Sequence, residues 1–198
     1  MTIIGITGPT GAGKTTALKE LEKLGAAIID CDGVYHEMLK SDIALQNDLE
    51  NAFGPLKDEK GVFDRKKLGS VVFRDPAALE RLNGIVYPRI GLAVDRLLEQ
   101  ARQEGKRAAA IDGITLIESG LGERCDTSVA VLAPVEERIR RICLREGISQ
   151  EYAQARVNAQ KQDEYFRANC QHVLMNDCVC TLDFAKRAKM LFQTILNT

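Results

Sequence analysis

The chain has 198 residues, 45% of them hydrophobic, and a net charge of −1. That length supports one sizeable core with room for a small subdomain, and no apolar run approaches the ~18 residues of a membrane-spanning helix. The near-neutral balance offers no global basic field for nucleic acid or an anionic membrane, so any anion site must be local. In chain order, Ile3-Ile4-Gly5-Ile6 reads as a buried strand that starts without a basic leader, and with six cysteines this points to reduced thiols in the cytoplasm. Gly8-Pro9-Thr10-Gly11-Ala12-Gly13-Lys14-Thr15 follows, matching G-x-x-x-x-G-K-[ST], the phosphate-binding P-loop. Ala17, Leu18, Leu21 and Leu24 then form a helical stripe that stops at Gly25. A second short strand is expected at Ala26-Ala27-Ile28-Ile29-Asp30.

From about Gly33 to Glu104 the pattern turns helical, with stripes at Ile43, Leu45 and Leu49, at Leu68, Val71 and Val72, at Leu79, Leu82 and Ile85, and at Ile90, Val94, Leu97 and Leu98. Asp64 and Asp75-Pro76 mark helix starts; Gly54-Pro55 and 57–61 mark turns. Strands resume at Ala108-Ala109-Ala110-Ile111-Asp112 and Ser128-Val129-Ala130-Val131-Leu132. Pro134 opens an Arg-rich helix, Ser149 caps another running towards Ala168, and His172-Val173-Leu174-Met175 is a fifth strand before a final helix from Thr181. Strands alternating with helices predict an α/β fold with a parallel sheet covered on both faces, whose ligands bind at the carboxyl ends of the strands.

Strand, glycine loop and helix is the context a P-loop requires. Glycines let backbone N–H groups turn towards phosphate oxygens, and the helix N-terminus adds partial positive charge. Gly8, Gly11, Ala12, Gly13, Lys14, Thr15 and Thr16 are therefore candidate nucleotide-binding positions. Lys14 would reach the β- and γ-phosphates, and the Thr15 hydroxyl would bind Mg²⁺. Asp32, just past the second strand, is the candidate for activating an acceptor hydroxyl; the alternative is a helix cap. Asp112 at a strand end would help hold Mg²⁺, or else shape a turn, with Glu118 behind it. Arg138, Arg141 and Arg145 share one helical face, which could stabilise transferring charge or lie in solvent with Glu137 paired to Arg141. Cys170, His172, Cys178 and Cys180 have poor spacing for zinc, and His36 reads as surface or pocket lining.

With these residues in place, the chain resembles the dephospho-coenzyme A kinase family over nearly its whole length. Besides the P-loop, the resemblance rests on Ile29-Asp30-Cys31-Asp32, Phe53-Gly54, Gly61-Val62-Phe63-Asp64-Arg65 with Leu68, Val72-Phe73, and Leu82-Asn83 followed by Tyr87-Pro88. Ile111-Asp112 to Glu118, Arg141 and Arg145, and Gln160 and Asn176 complete it in order. The family's His before Pro is Tyr87 here, Pro-Leu-Leu is Ile114-Thr115-Leu116, Ala-Asp is Cys170-Gln171, the Gly after Asn176-Asp177 is Cys178, and a Gln is Arg138. The resemblance implies a P-loop NTPase-like three-layer fold: a five-stranded parallel core (1–32, 106–134, 170–198), a helical acceptor subdomain (33–105) and a helical lid (135–169). It implies ATP- and Mg²⁺-dependent phosphorylation of the ribose 3′-hydroxyl of dephospho-CoA. Asp32, Lys14 and Arg141 would be catalytic, Arg145 would bind nucleotide, and Asn176 would lie near adenine. Two alternatives remain: a kinase of another nucleotide or small-molecule hydroxyl, and a nucleotide-binding paralogue without transfer. The joint presence of Lys14, Thr15, Asp32, Asp112 and Arg141 argues against the second.

Overall fold

The computed structural model describes residues 1–73, 75–178 and 180–197. The chain divides into two compact units, Met1–Ile29 with Leu98–Thr198, and Asp30–Leu97.

The first unit is built on five strands: β1 (Thr2–Thr7), β2 (Ala26–Asp30, its last residue in the second unit), β3 (Ala108–Asp112), β4 (Thr127–Leu132) and β5 (His172–Met175). Their spatial order is β2-β3-β1-β4-β5, and the expected parallel sheet is present. Each strand lies at the position expected from the sequence. β1, β3 and β4 sit centrally and are buried on both faces, which is why they are unbroken apolar runs. Helices α1 (Lys14–Lys23) and α9 (Thr181–Leu196) pack together. Leu18, Leu21, Phe184 and Phe192 join Ile4, Ile6, Val129 and Val131 in the main core. Burying each of the two phenylalanines contributes about 1.5–3 kcal/mol.

The segment expected as a lid contains three helices, α6 (Val135–Glu146), α7 (Gln150–Asn158) and α8 (Asp163–Asn169). Ile139 and Ile142 pack on Ala153 and Val157, pairing α6 with α7, while Phe166 of α8 packs on Ala130 and Leu132 of β4. Ser149 caps α7 as expected, accepting from the Tyr152 N–H. The single helix expected to run on to Ala168 is instead broken at 159–162. There Gln160 spends its side-chain amide on Thr10, 150 residues away.

The second unit is helical: α2 (Cys31–Ser41), α3 (Ile43–Phe53), α4 (Arg65–Val72) and the greater part of α5 (Pro76–Gln103). Asp64 and Asp75 start their helices as expected, their carboxylates accepting first-turn N–H groups. The expected turn is present, and Asp58 organises it, with Lys57 bridging Phe63 across it. The stripe at Leu79, Leu82 and Ile85 and the stripe at Ile90, Val94, Leu97 and Leu98 lie on one helix, 28 residues long, passing through Pro88. The buried stripe explains it: Ala78, Leu82, Val86, Ile90, Val94 and Leu98 continue at four-residue steps across the proline. Packing along this stripe outweighs one lost backbone hydrogen bond. Of the stripe at Ile43, Leu45 and Leu49, Leu45 and Leu49 are buried, while Ile43, the first residue of α3 after its cap Asp42, is 68% exposed. Among the described residues no helix is long and apolar enough to cross a membrane.

Candidate functional site

The loop between β1 and α1 is shaped by its neighbours. Gly8 has φ +134, and a Cβ there would lie 2.1 Å from the Val131 carbonyl oxygen of β4, so only glycine fits. Lys14 folds back and donates from Nζ to the Gly8 carbonyl at 2.9 Å, which sets the ammonium over the loop. Gly13 caps α1, placing Lys14, Thr15 and Thr16 in the helix's first turn, where backbone N–H groups and the dipole favour an anion. Thr15 is exposed and Thr16 half-buried. Asp112 ends β3 in register with Ile6 of β1, and the Gly113 N–H bonds to the Ile6 carbonyl at 3.2 Å. The half-buried Asp112 carboxylate thus sits beside the strand that feeds the loop; Glu118 is exposed.

Three side chains take hold of consecutive loop carbonyls. Arg138 Nε donates to Thr10 O at 3.1 Å, and Arg141 NH1 donates to Gly11 O at 3.2 Å and Ala12 O at 3.5 Å. Asn176 Nδ2 donates to Ala12 O at 2.8 Å, and Arg141 NH2 reaches Asn176 Oδ1 at 3.4 Å. Arg138, Arg141 and Asn176 are thereby brought to the loop by α6 and by the end of β5. Arg145, one turn further along the same α6 face, has a different partner. It pairs with Glu146 at 2.6 Å and is largely exposed, and the same carboxylate is also held by Arg156. Glu137 pairs chiefly with Arg140, at 2.8 Å, and stands 3.8 Å from Arg141, so the expected Glu137–Arg141 pair is secondary. A cavity of about 220 Å³ opens beside Gly13 and Thr16, walled by Asn176, Cys178, Thr181 and Phe184.

Within the second unit, the two acids at the start of α2 have separate roles. The cap is Asp30, whose Oδ1 accepts from the Gly33 N–H at 3.1 Å. Asp32 lies in the first turn, exposed, and among the described residues it carries no hydrogen bond or ion pair. Three residues on, Tyr35 lines a cavity of about 770 Å³ with Leu39, Phe63, Leu68, Val72 and Leu82 as apolar wall and Arg65 and Lys66 at its edge. That volume is in the range of small-molecule sites. Arg65 NH2 lies 2.6 Å from His36 Nε2. Burial pushes the Tyr35 hydroxyl pKa up, partly offset by the nearby Arg65 charge.

Sequence reasoning did not find this cavity or the engagement of Thr10 by Arg138 and Gln160. The cavity is assembled from α2, α4, α5 and the turn between α3 and α4, and no local spacing announces such a convergence. Among the described residues no three His, Cys, Asp or Glu side chains are grouped to hold a metal. All six cysteines are free, and burial pushes the Cys125 thiol up to about 12.

Residues 2–181 match the family model described as dephospho-CoA kinase. A dephospho-CoA kinase of Dehalococcoides mccartyi is 36% identical over 179 residues, covering 90% of each chain. One from Geobacter sulfurreducens is 36% identical over 180 residues, covering 89% of this chain and 90% of its own. A crystal structure of a Thermus thermophilus protein superposes with a TM-score of 0.81 at 30% identity, covering 98% of this chain and 97% of that one. The chain belongs to the dephospho-CoA kinase family.

Proposed function

We propose that this chain transfers the γ-phosphoryl group of ATP to the ribose 3′-hydroxyl of dephospho-CoA, giving coenzyme A and ADP, the final step of coenzyme A synthesis. The first unit supplies the nucleotide groups. The loop and the first turn of α1 take the phosphates, Lys14 neutralises charge on the transferring group, and the cavity beside Asn176 and Phe184 accommodates the base. Thr15 and Asp112 offer hydroxyl and carboxylate oxygens, the hard donors Mg²⁺ takes. The ion, when bound, offsets charge on the β- and γ-phosphate oxygens.

The second unit supplies the acceptor groups. Asp32 takes the proton of the 3′-hydroxyl as its oxygen bonds to the γ-phosphorus and the bond to ADP breaks. The observation that carries this reading is the division of labour on α2: Asp30 is consumed as the cap, leaving the Asp32 carboxylate exposed. The adjoining cavity suits the rest of the acceptor. It combines an apolar wall for an extended organic arm with Arg65, which lies beside His36, for a diphosphate. Arg141 exchanges loop carbonyls for phosphate oxygens as charge shifts during transfer. The reaction belongs in the cytoplasm, where ATP is made available and free thiols persist.

The test is ADP release with ATP and Mg²⁺ across a panel of acceptors: dephospho-CoA, adenosine, adenosine 5′-phosphate and no acceptor, with product mass and Lys14→Ala as control. Dephospho-CoA should turn over far faster than the others and gain one phosphoryl group. Faster transfer to a smaller acceptor, or ATP hydrolysis alone, refutes the reading.

A further inference from the structure

We propose that Arg138 is a positioning residue of the nucleotide site: with Gln160 it fixes the Thr10–Gly11 peptide so that the Gly11 N–H faces the bound phosphates. This rests on the reading that the loop binds the triphosphate of ATP.

The C=O and N–H of a trans peptide point in opposite directions. Arg138 Nε holds the Thr10 carbonyl at 3.1 Å, so the N–H of Gly11 is turned away from α6. Gln160 holds the same residue from its other side. Its Oε1 accepts from the Thr10 N–H at 3.1 Å, and its Nε2 donates to the Thr10 hydroxyl at 2.8 Å. Arg138 NH2 donates to that Oε1 at 2.9 Å, which closes the ring. Every polar group of Thr10 is therefore held. Gly11, at φ +81, lies so close to α6 that a Cβ would stand 2.8 Å from the Arg138 carbonyl oxygen. One residue of α6 is both wall and hook for the peptide.

The Arg138 side chain is only 3% exposed, and its nearest carboxylate, Asp163, stands 4.0 Å away. Burial lowers the Arg138 pKa, and Asp163 opposes that shift. A loosely paired buried cation is weak support for stability. Its short contacts go instead to the loop and Gln160, which makes its contribution directional.

The bond count of the side chain supplies a clean test. In glutamine, Nε2 occupies the place of arginine Nε; in methionine, a methyl group does. Arg138→Gln keeps a donor for Thr10 O, whereas Arg138→Met has similar reach and no donor. ATP and AMP binding, transfer kinetics and Tm are measured for the wild type and both variants. Arg138→Met should weaken ATP binding about tenfold and leave AMP binding within about twofold, because AMP lacks the β- and γ-phosphates. Arg138→Gln should stay within about threefold of the wild type for ATP. Equal loss in both variants, equal loss for AMP and ATP, or wild-type ATP affinity in Arg138→Met each overturns the proposal. If the wild type binds no ATP, the nucleotide reading falls with it. If it binds ATP and phosphorylates an acceptor other than dephospho-CoA, only the acceptor assignment fails and the Arg138 test stands unchanged.

Discussion

Asparagine at position 32 separates catalysis from helix capping, because the structure assigns the cap to Asp30. Asp30 Oδ1 accepts from the Gly33 N–H, so Asp30→Ala loses a cap, costing about 0.5–2 kcal/mol. In a chain of 198 residues each kcal/mol moves Tm by about 2–4 °C. Asp30→Ala should therefore lower Tm by a few degrees, while Asp30→Asn, which keeps an accepting oxygen, should barely move it. Asp32 is exposed in the first turn of α2, so Asp32→Asn forfeits only a charge near the helix N-terminus, about 0.3–1 kcal/mol. Its kinetic effect should be of another order, a loss of about 10²–10⁴ in kcat if the carboxylate accepts the 3′-hydroxyl proton. ATP binding should stay within a few-fold. The assay is kcat with dephospho-CoA, ATP affinity by calorimetry and Tm, on all three variants together. Wild-type turnover in Asp32→Asn, or a catalytic loss confined to the Asp30 variants, refutes the assignment.

Gly8→Ala and Gly25→Ala both place a side chain at positive φ, but only at Gly8 would the Cβ meet backbone, while at Gly25 nothing lies within 4 Å. Gly25→Ala should cost about 1–2 kcal/mol by thermal unfolding and leave turnover alone; Gly8→Ala should cost about 1–3 kcal/mol more and abolish ATP binding. Arg141→Ala should lower kcat about 10²-fold or more and weaken ATP binding less, whereas a purely surface role would leave kcat unchanged. Hydrogen bonds from Arg145 and then Arg156 hold the Glu146 carboxyl below its ordinary range. A lowered folded-state pKa adds stability above the unfolded value that is lost as pH falls through the folded one. The Tm gap between wild type and Glu146→Gln should therefore be constant near neutrality and shrink in acid; a gap independent of pH shows that the pair is not coupled to folding.

The P-loop, the five strands and the helical character of 33–105 were all legible in the sequence, because each depends on neighbours along the chain. Apolar runs bury strands wherever the sheet forms, and a glycine loop between strand and helix carries its anion site with it. The long α5 was not legible, since Pro88 is a local stop signal and only tertiary packing of the stripe from Ala78 to Leu98 overrides it. The choice between Asp30 and Asp32 as cap needed one fact, the position of the Gly33 N–H. Helical spacing put Arg138, Arg141 and Arg145 on one face, but position in the fold decided their partners: Arg138 and Arg141 reach the loop, while Arg145 remains with Glu146. Thr10 and Gln160 meet across 150 residues, and the cavity near Asp32 draws its walls from three helices and a turn. Such contacts depend on how the chain folds back on itself, which no window of neighbouring residues encodes.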